Sequence, residues 1–194
     1  MNPQPLIDFL HASNLVRYAT AEEIAKEFSV AEFEKNQLVL KEGQVSDQYI
    51  FLEEGFMRAF AHDPDGNEVT TNFYSQNNVV FEVHSFFNRT RSKENIQALT
   101  DCTAWFISYE QLNTLFHNIY EFREFGRSIL VKGFSNLKNR MLSTITESAE
   151  ERYAALLKSN PEVFQFAQLK HIASFLGITD TSLSRIRKEF QKNN

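Results

Sequence analysis

The stretch "IASFLGITDTSLSRIRKEF", residues 172–190, sets two short apolar repeats on either side of one glycine, and its spacing decides how the chain is read. A helix-turn-helix needs a first helix that stops abruptly and a second that starts with almost no connecting loop. Gly177 stands at the stop, because glycine enters the left-handed helix-end conformation at little steric cost. Thr179 follows as the residue whose hydroxyl oxygen can accept from the free amides of the second helix. Ala173 is small enough to let the two helices cross closely. Ile172, Leu176, Ile178, Leu183 and Ile186 fill the angle between them, which leaves Asp180, Thr181, Ser184, Arg185 and Lys188 facing outward. An ordinary helical hairpin with a glycine cap shares this local pattern.

Charge separates the two readings. From Ser148 to the end there are seven Lys and Arg against five acids, a balance of +2, and since the whole chain carries −5, residues 1–147 carry −7. Positive charge is thus concentrated where a phosphate backbone would lie.

At 194 residues, 42% hydrophobic and 23% charged, the chain has the composition of a soluble protein with one large domain or two small ones. No apolar run approaches a membrane span, and the N-terminal "MNPQPLIDFLHASNL" lacks the basic and apolar regions of a signal peptide. A cytoplasmic protein without a membrane partner is expected. The single cysteine, Cys102, excludes an internal disulfide and argues against an iron-sulfur cluster or zinc ribbon. Its setting, "LTDCTAWFI", reads as a buried strand, with a redox sensor as the alternative. His11, His62, His84, His117 and His171 show no close pair with metal-ligand spacing, so no metal site is expected.

The N-terminal stretch reads as helical to about Val30, with Thr20–Glu23, "TAEE", as a capping box. From Phe33 to Ile107 the period changes to short β-rich runs: "QLVL", "QYIFLEEGFMRAFAHD", "EVTTNFY" and "NIQALTDCTAWFIS". The "DPDG" at 63–66 joins two of these as a hairpin. Many short strands at this spacing predict a small antiparallel sandwich or barrel. Beyond Tyr120 the period is helical again. Phe122, Phe125, Ile129, Leu130, Phe134, Leu137, Met141 and Ile145 recur at three- and four-residue steps. A helix over 121–145 would be about 37 Å long. Such a stripe outruns the core of a small domain and predicts a dimer seam through Phe122, Ile129, Leu130, Phe134, Leu137 and Met141. "SAEE", Ser148–Glu151, is a second capping box, so one helix ends near Thr146 and another starts at once, a junction able to act as a hinge.

This order resembles the Crp/Fnr superfamily of bacterial transcription regulators over about Phe33 to Phe190. The resemblance rests on "VLKEGQVSDQYIFLEEGFMRAF", "SAEERYAALL" and "IASFLGITDTSLSRIRKEF". It implies an α+β chain: an N-terminal antiparallel β-sandwich of the jelly-roll (double-stranded β-helix), cyclic-nucleotide-binding-like kind with flanking helices over 1–120, a dimerisation helix over 121–147 and a helix-turn-helix domain over 148–194. It further implies a homodimer on a two-fold symmetric double-stranded DNA site, with RNA polymerase as a further partner and a small-molecule effector in the sandwich. Asp180, Thr181, Ser184 and Arg185 fall where bases are usually faced, and Arg185 suits the two acceptors of guanine. Thr179, Ser182 and Lys188 suit phosphates.

The sensor matches less well. In the family's cyclic-nucleotide-binding members a glutamate takes the ribose and an arginine the phosphate. Here the comparable stretch is "VVFEVHSFFNRTRSKENIQA". Glu82 can stand for the glutamate, but Phe81 replaces a glycine, and Ser92, Lys93 and Glu94 fall on the arginine triplet, with Arg91 one residue away. Leu137 and Lys138 occupy the positions of the base-contacting pair on the long helix. Phe81, Glu82, Arg91, Ser92, Lys93, Leu137 and Lys138 are the candidate ligand set. No cofactor is identified, and cyclic AMP in the usual mode is not expected. The alternative to a DNA-reading regulator is a small-ligand-binding protein whose terminal helices do not read DNA. An enzyme is not expected, since neither a metal-binding cluster nor a nucleophile and base pair is present.

Overall fold

The computed structural model describes residues 2–193. Helices α1 (Gln4–Ala12) and α2 (Tyr18–Ala25) precede strands β1 (Ser29–Phe33), β2 (Leu38–Leu40), β3 (Gln48–Glu54), β4 (Met57–His62), β5 (Glu68–Tyr74) and β6 (Asn78–Val80). A short helix α3 (Val83–Asn88) is followed by β7 (Asn95–Ala98), β8 (Cys102–Ser108) and α4 (Tyr109–Asn118). The long helix α5 (Tyr120–Thr146) leads to α6 (Ala149–Ser159), α7 (Val163–Phe166), α8 (Leu169–Leu176) and α9 (Asp180–Asn193).

The strands form two four-stranded antiparallel sheets, ordered β1-β8-β3-β6 and β2-β7-β4-β5. The predicted sandwich is therefore present, and the fold is α+β. Alternation along each strand divides the apolar residues between two layers. Ile50, Leu52, Met57, Ala59, Val80, Ile96, Ala98 and Ala104 meet between the sheets. On the other face of the first sheet, Tyr49, Phe51, Trp105 and Ile107 pack beneath α1, α2, α4 and the start of α5. Cys102 lies among the residues between the sheets, and burial pushes its thiol up, away from the reactive thiolate. That matches its reading as a small core residue.

Turn chemistry is legible at several points. Asp63 Oδ1 accepts from the amides of Asp65 and Asn67, and Gly66 takes φ +83°, closing the β4–β5 hairpin at "DPDG". Ser108 and Gln111 form a capping box on α4, and Ser148 and Glu151 form the expected one on α6. The expected box at Thr20 is absent. Helix α2 begins three residues earlier behind Arg17, which leaves Thr20 inside the helix. The first helical stretch ends at Ala25, and Val30 belongs to β1, where its pairing with Trp105 overrides the helical period.

Gly55, between β3 and β4, holds φ +102°, and a Cβ there would sit 2.5 Å from Cys102 Sγ and 2.6 Å from the Asp101 carbonyl oxygen. Gly66 also has positive φ but nothing within 4 Å. Gly55→Ala is expected to lower the unfolding free energy by about 3 kcal/mol or more, and Gly66→Ala by about 1 kcal/mol, from the cost of a side chain at positive φ with and without overlap. Urea denaturation of the two variants checks the order.

Candidate nucleic-acid interface and sensor cavity

The terminal helices fold as their spacing demands. Helix α8 ends at Gly177, which adopts the left-handed conformation with φ 68°, and the Ile178 amide donates back to the Ala173 carbonyl at 3.0 Å. Thr179 then caps α9, its Oγ1 accepting from the Ser182 amide at 3.2 Å. Ile172, Ala173, Leu176, Leu183 and Ile186 are buried between the helices, with Ile178 packed against them. Thr179, Asp180, Thr181, Ser184, Arg185 and Lys188 are exposed on the opposite face, and Ser182 is half-buried. Three of these hydroxyls have internal partners: Ser182 Oγ lies 3.0 Å from Thr179 Oγ1, and Ser184 Oγ donates to the Asp180 carbonyl at 2.9 Å. The outward face therefore presents Arg185 and Lys188 as long flexible cations beside Asp180 and Thr181.

Helix α5 has two halves. Phe122 and Phe125 are buried under the first sheet's outer layer, with Phe122 completely enclosed, and Ile129 packs against the same cluster. Phe122 thus belongs to the chain's own core and leaves the seam assigned to it from periodicity, while Ile129 is half-buried at the core's edge. Beyond them the stripe is bare. Phe134 is 69% exposed, Leu137 65%, Met141 56% and Ile145 73%, with Leu130, Val131 and Leu142 also open.

Glu82, Arg91 and Ser92 all meet the loop over residues 44–46, but most of the candidate ligand side chains are otherwise engaged or exposed. Phe81 is buried among Tyr49, Phe86 and Phe87. Glu82 caps α3, its carboxylate accepting from the amides of His84 at 3.0 Å and Ser85 at 2.6 Å. Ser92 is buried, and its hydroxyl is used on the Glu94 backbone. Arg91 and Lys93 are exposed, and Leu137 and Lys138 lie on the bare half of α5. A cavity of about 500 Å³ is lined by Leu40, Ile50, Val80, Phe81 and Ile96, by loop residues Gln44 to Asp47 and by Gln48 at the start of β3. None of its lining residues is a cation. Nearby, burial raises the proton affinity of the Glu94 carboxyl, with Glu82 adding to the effect while Thr71 and Arg140 oppose it. Glu82 and Ser92 are thus engaged by the backbone, and the cavity lining adds no positive partner for a phosphate.

Sequence reading missed the junction between sandwich and terminal helices. Phe73 of β5, Phe56 just before β4 and Leu99 just after β7 share one core with Tyr153, Val163, Ile172, Leu176, Leu183 and Ile186. Beside it lies Arg58 on β4, 2% exposed, with Nη2 donating to Glu68 Oε2 at 2.5 Å, Nε and Nη2 to Gln97 Oε1, and its guanidinium 4.1 Å over the Phe60 ring. His171 of α8 is buried against the same carboxylate, at 3.6 Å, too long for a hydrogen bond. An arginine alternating with apolar residues inside a β-run was the available signal.

Residues 30–118 match the family described as the cyclic nucleotide-binding domain. None of the curated proteins matches the sequence. Among solved structures, FixK2 from Bradyrhizobium japonicum superposes with a TM-score of 0.73 at 15% identity, covering 86% of this chain and 85% of that one. The c-di-GMP responsive global regulator CLP of Xanthomonas campestris gives 0.71 at 17%, covering 91% and 93%. A protein assigned to the Crp/Fnr family from Eubacterium rectale gives 0.72 at 14%, covering 96% and 88%. The chain therefore has a cyclic-nucleotide-binding-like domain and the overall fold of Crp/Fnr regulators.

Burial lowers the pKa of His171 to about 4, with Arg58 and Lys170 adding to the shift and Glu68 opposing it. The unfolded chain binds this proton near pH 6.5, so stability from the neutral ring is complete above that value and is lost as pH falls toward 4. Wild type is expected to lose about 2 kcal/mol over this window through His171. His171→Leu should flatten the curve above pH 4.5, below which Glu68, whose pKa is also depressed, dominates. Chemical denaturation at stepped pH reads the difference.

Proposed function

We propose that the chain is a homodimeric, sequence-specific DNA-binding transcription regulator of the Crp/Fnr type. The observation that carries this reading is the two-faced α9: Leu183 and Ile186 are buried against α8 while Thr181, Ser184, Arg185 and Lys188 stand in solvent. A helix held by one face and polar on the other can enter the major groove, with Arg185 placed to meet guanine and Lys188 a phosphate. Asp180 near the start of the helix favours a cytosine amino group over a phosphate, which gives this head its own sequence preference.

The bare half of α5 supports pairing with a second copy. Phe134, Leu137, Met141 and Ile145 lie at three- and four-residue steps, the spacing of a helix-to-helix seam. Two reading helices fixed about 34 Å apart can then enter successive major grooves. The sandwich serves as the sensor, and its effector is not a cyclic nucleotide in the usual mode, because the cavity lining has no cation and Glu82 and Ser92 are spent on the backbone.

Purified protein mixed with a pool of its own genomic fragments at two salt concentrations is expected to retain a palindromic fragment at the higher salt, since base readout keeps its preference as phosphate contacts weaken. Arg185→Ala should weaken that complex about tenfold or more. Binding without preference at either salt would favour a ligand-binding protein with silent terminal helices. The double variant Phe134→Glu, Leu137→Glu is expected to sediment as a monomer and to lose the palindromic complex. A dimer that survives the double change refutes the seam.

A further inference from the structure

Thr71 is the residue left over in the β4–β5 ladder. Ala59 stands opposite Asn72 and Phe60 opposite Thr70, so Thr71 has no partner across the strand pair. An extra residue of this kind bends the strand and re-aims its backbone groups. The freed Thr71 carbonyl accepts from Arg140 Nη1. Arg140 belongs to α5, and its Nη2 donates to the Phe175 carbonyl of α8 at 3.2 Å. The guanidinium also lies 4.0 Å from the centre of the Phe175 ring. One residue back along β5, the Thr70 amide donates to Ser174 Oγ at 3.1 Å. Strand β5 ends its sheet, so these amide and carbonyl groups face outward from the ladder and are met by side chains of α5 and α8 instead of another strand.

One planar group therefore joins three parts: the edge of the sensor sheet, the long helix and the first helix of the reading head. We propose that Arg140 is the positioning residue through which the sandwich sets the orientation of that head. The proposal rests on the DNA-reading function above. A displacement of β5 carries the bulged carbonyl with it, and the rigid fork passes the displacement to Phe175 and so to the start of α9 across the short Gly177 turn. Glu94, on the sensor side, acts electrostatically on the same guanidinium and gives the sandwich a charge with which to bias it. Lysine keeps the charge but offers a single compact ammonium in place of the fork.

The test uses the full-length protein with nitroxide labels at Glu54→Cys on the sandwich and Glu189→Cys on α9, the labelled chain diluted in excess unlabelled chain so that only distances within one chain are read. A single narrow distance is expected. Arg140→Lys and Arg140→Ala should broaden or shift it and weaken the palindromic complex at least tenfold while sedimentation still shows dimers. Arg123→Ala, an exposed arginine on the same helix stacked on Tyr120, should change neither. An unchanged narrow distance in both Arg140 variants overturns the proposal. A broadened distance in a protein whose parent shows no DNA preference upholds Arg140 as the positioning residue and overturns the DNA-reading function.

Discussion

The structure depends on one shared apolar contact: Phe73 of β5, with Phe56 and Leu99 at the ends of neighbouring strands, buried against the terminal helices. Phe56 and Phe73 stack with ring centres 5.8 Å apart, Phe73 meets Phe175 at 5.1 Å, and Phe56 meets Phe166 at 5.6 Å. A unit of fewer than fifty residues buries too little surface to be secure alone, and it borrows the missing area from the sandwich. The same borrowing fixes the direction in which α9 points. Removing the sandwich would cost the terminal helices part of their own core, so orientation and stability are here a single property.

Apolar contact supplies strength without direction, and the polar groups beside it supply the register. Arg58 is a buried charge, costly to strip of water, and it is accepted because Glu68, Gln97 and the face of Phe60 surround it. Arg152 does similar work at the hinge. Its Nη1 donates to the Glu147 carbonyl at 2.6 Å, while Nε and Nη2 reach the Leu176 carbonyl at 3.2 and 3.0 Å. The end of the long helix and the end of α8 are thereby held by one side chain. Together with Arg140, it means that carbonyls left free at helix ends and at a bulge are taken by arginines that cross between parts. Such bonds have a narrow geometric optimum, so they select one docking arrangement among the many that greasy surfaces would tolerate.

Local signals were legible in the sequence and relational ones were not. Gly177, the Ser148 box and the "DPDG" turn act through neighbours within five residues, and each formed as its chemistry required. The Thr20 box carried the same local signal and failed, because Glu121 Oε2 accepts from the Arg17 amide at 2.9 Å and starts α2 earlier. A partner 104 positions away outweighed the local hydroxyl. Phe122 and Leu137 share one apolar period yet lie on opposite sides of a boundary, enclosed in one case and bare in the other. Period marks a face, and only the rest of the fold says what meets it. Glu82 shows the same limit in the sensor, where the right residue type at the expected place is occupied by the backbone of its own helix.

The division of α5 also constrains how a signal can travel. Its first turns are clamped by close packing: a Cβ on Gly126 would lie 2.6 Å from the Phe116 ring. Its last turns are tied to β5 and to the head through Arg140 and Arg152. Between the two clamps lies the bare stripe on which a second copy would rest. A change in the sandwich therefore has two routes to the terminal helices, along a helix held at its base by close packing, or directly across the sheet edge. In the proposed dimer the helix route would move both copies' seams at once and would have to break apolar contact to do so. The edge route displaces a single bulged carbonyl and one guanidinium. The second needs far less rearrangement, and for that reason the β5 edge, more than the length of the helix, is where the proposed sensing would be joined to the proposed reading of DNA.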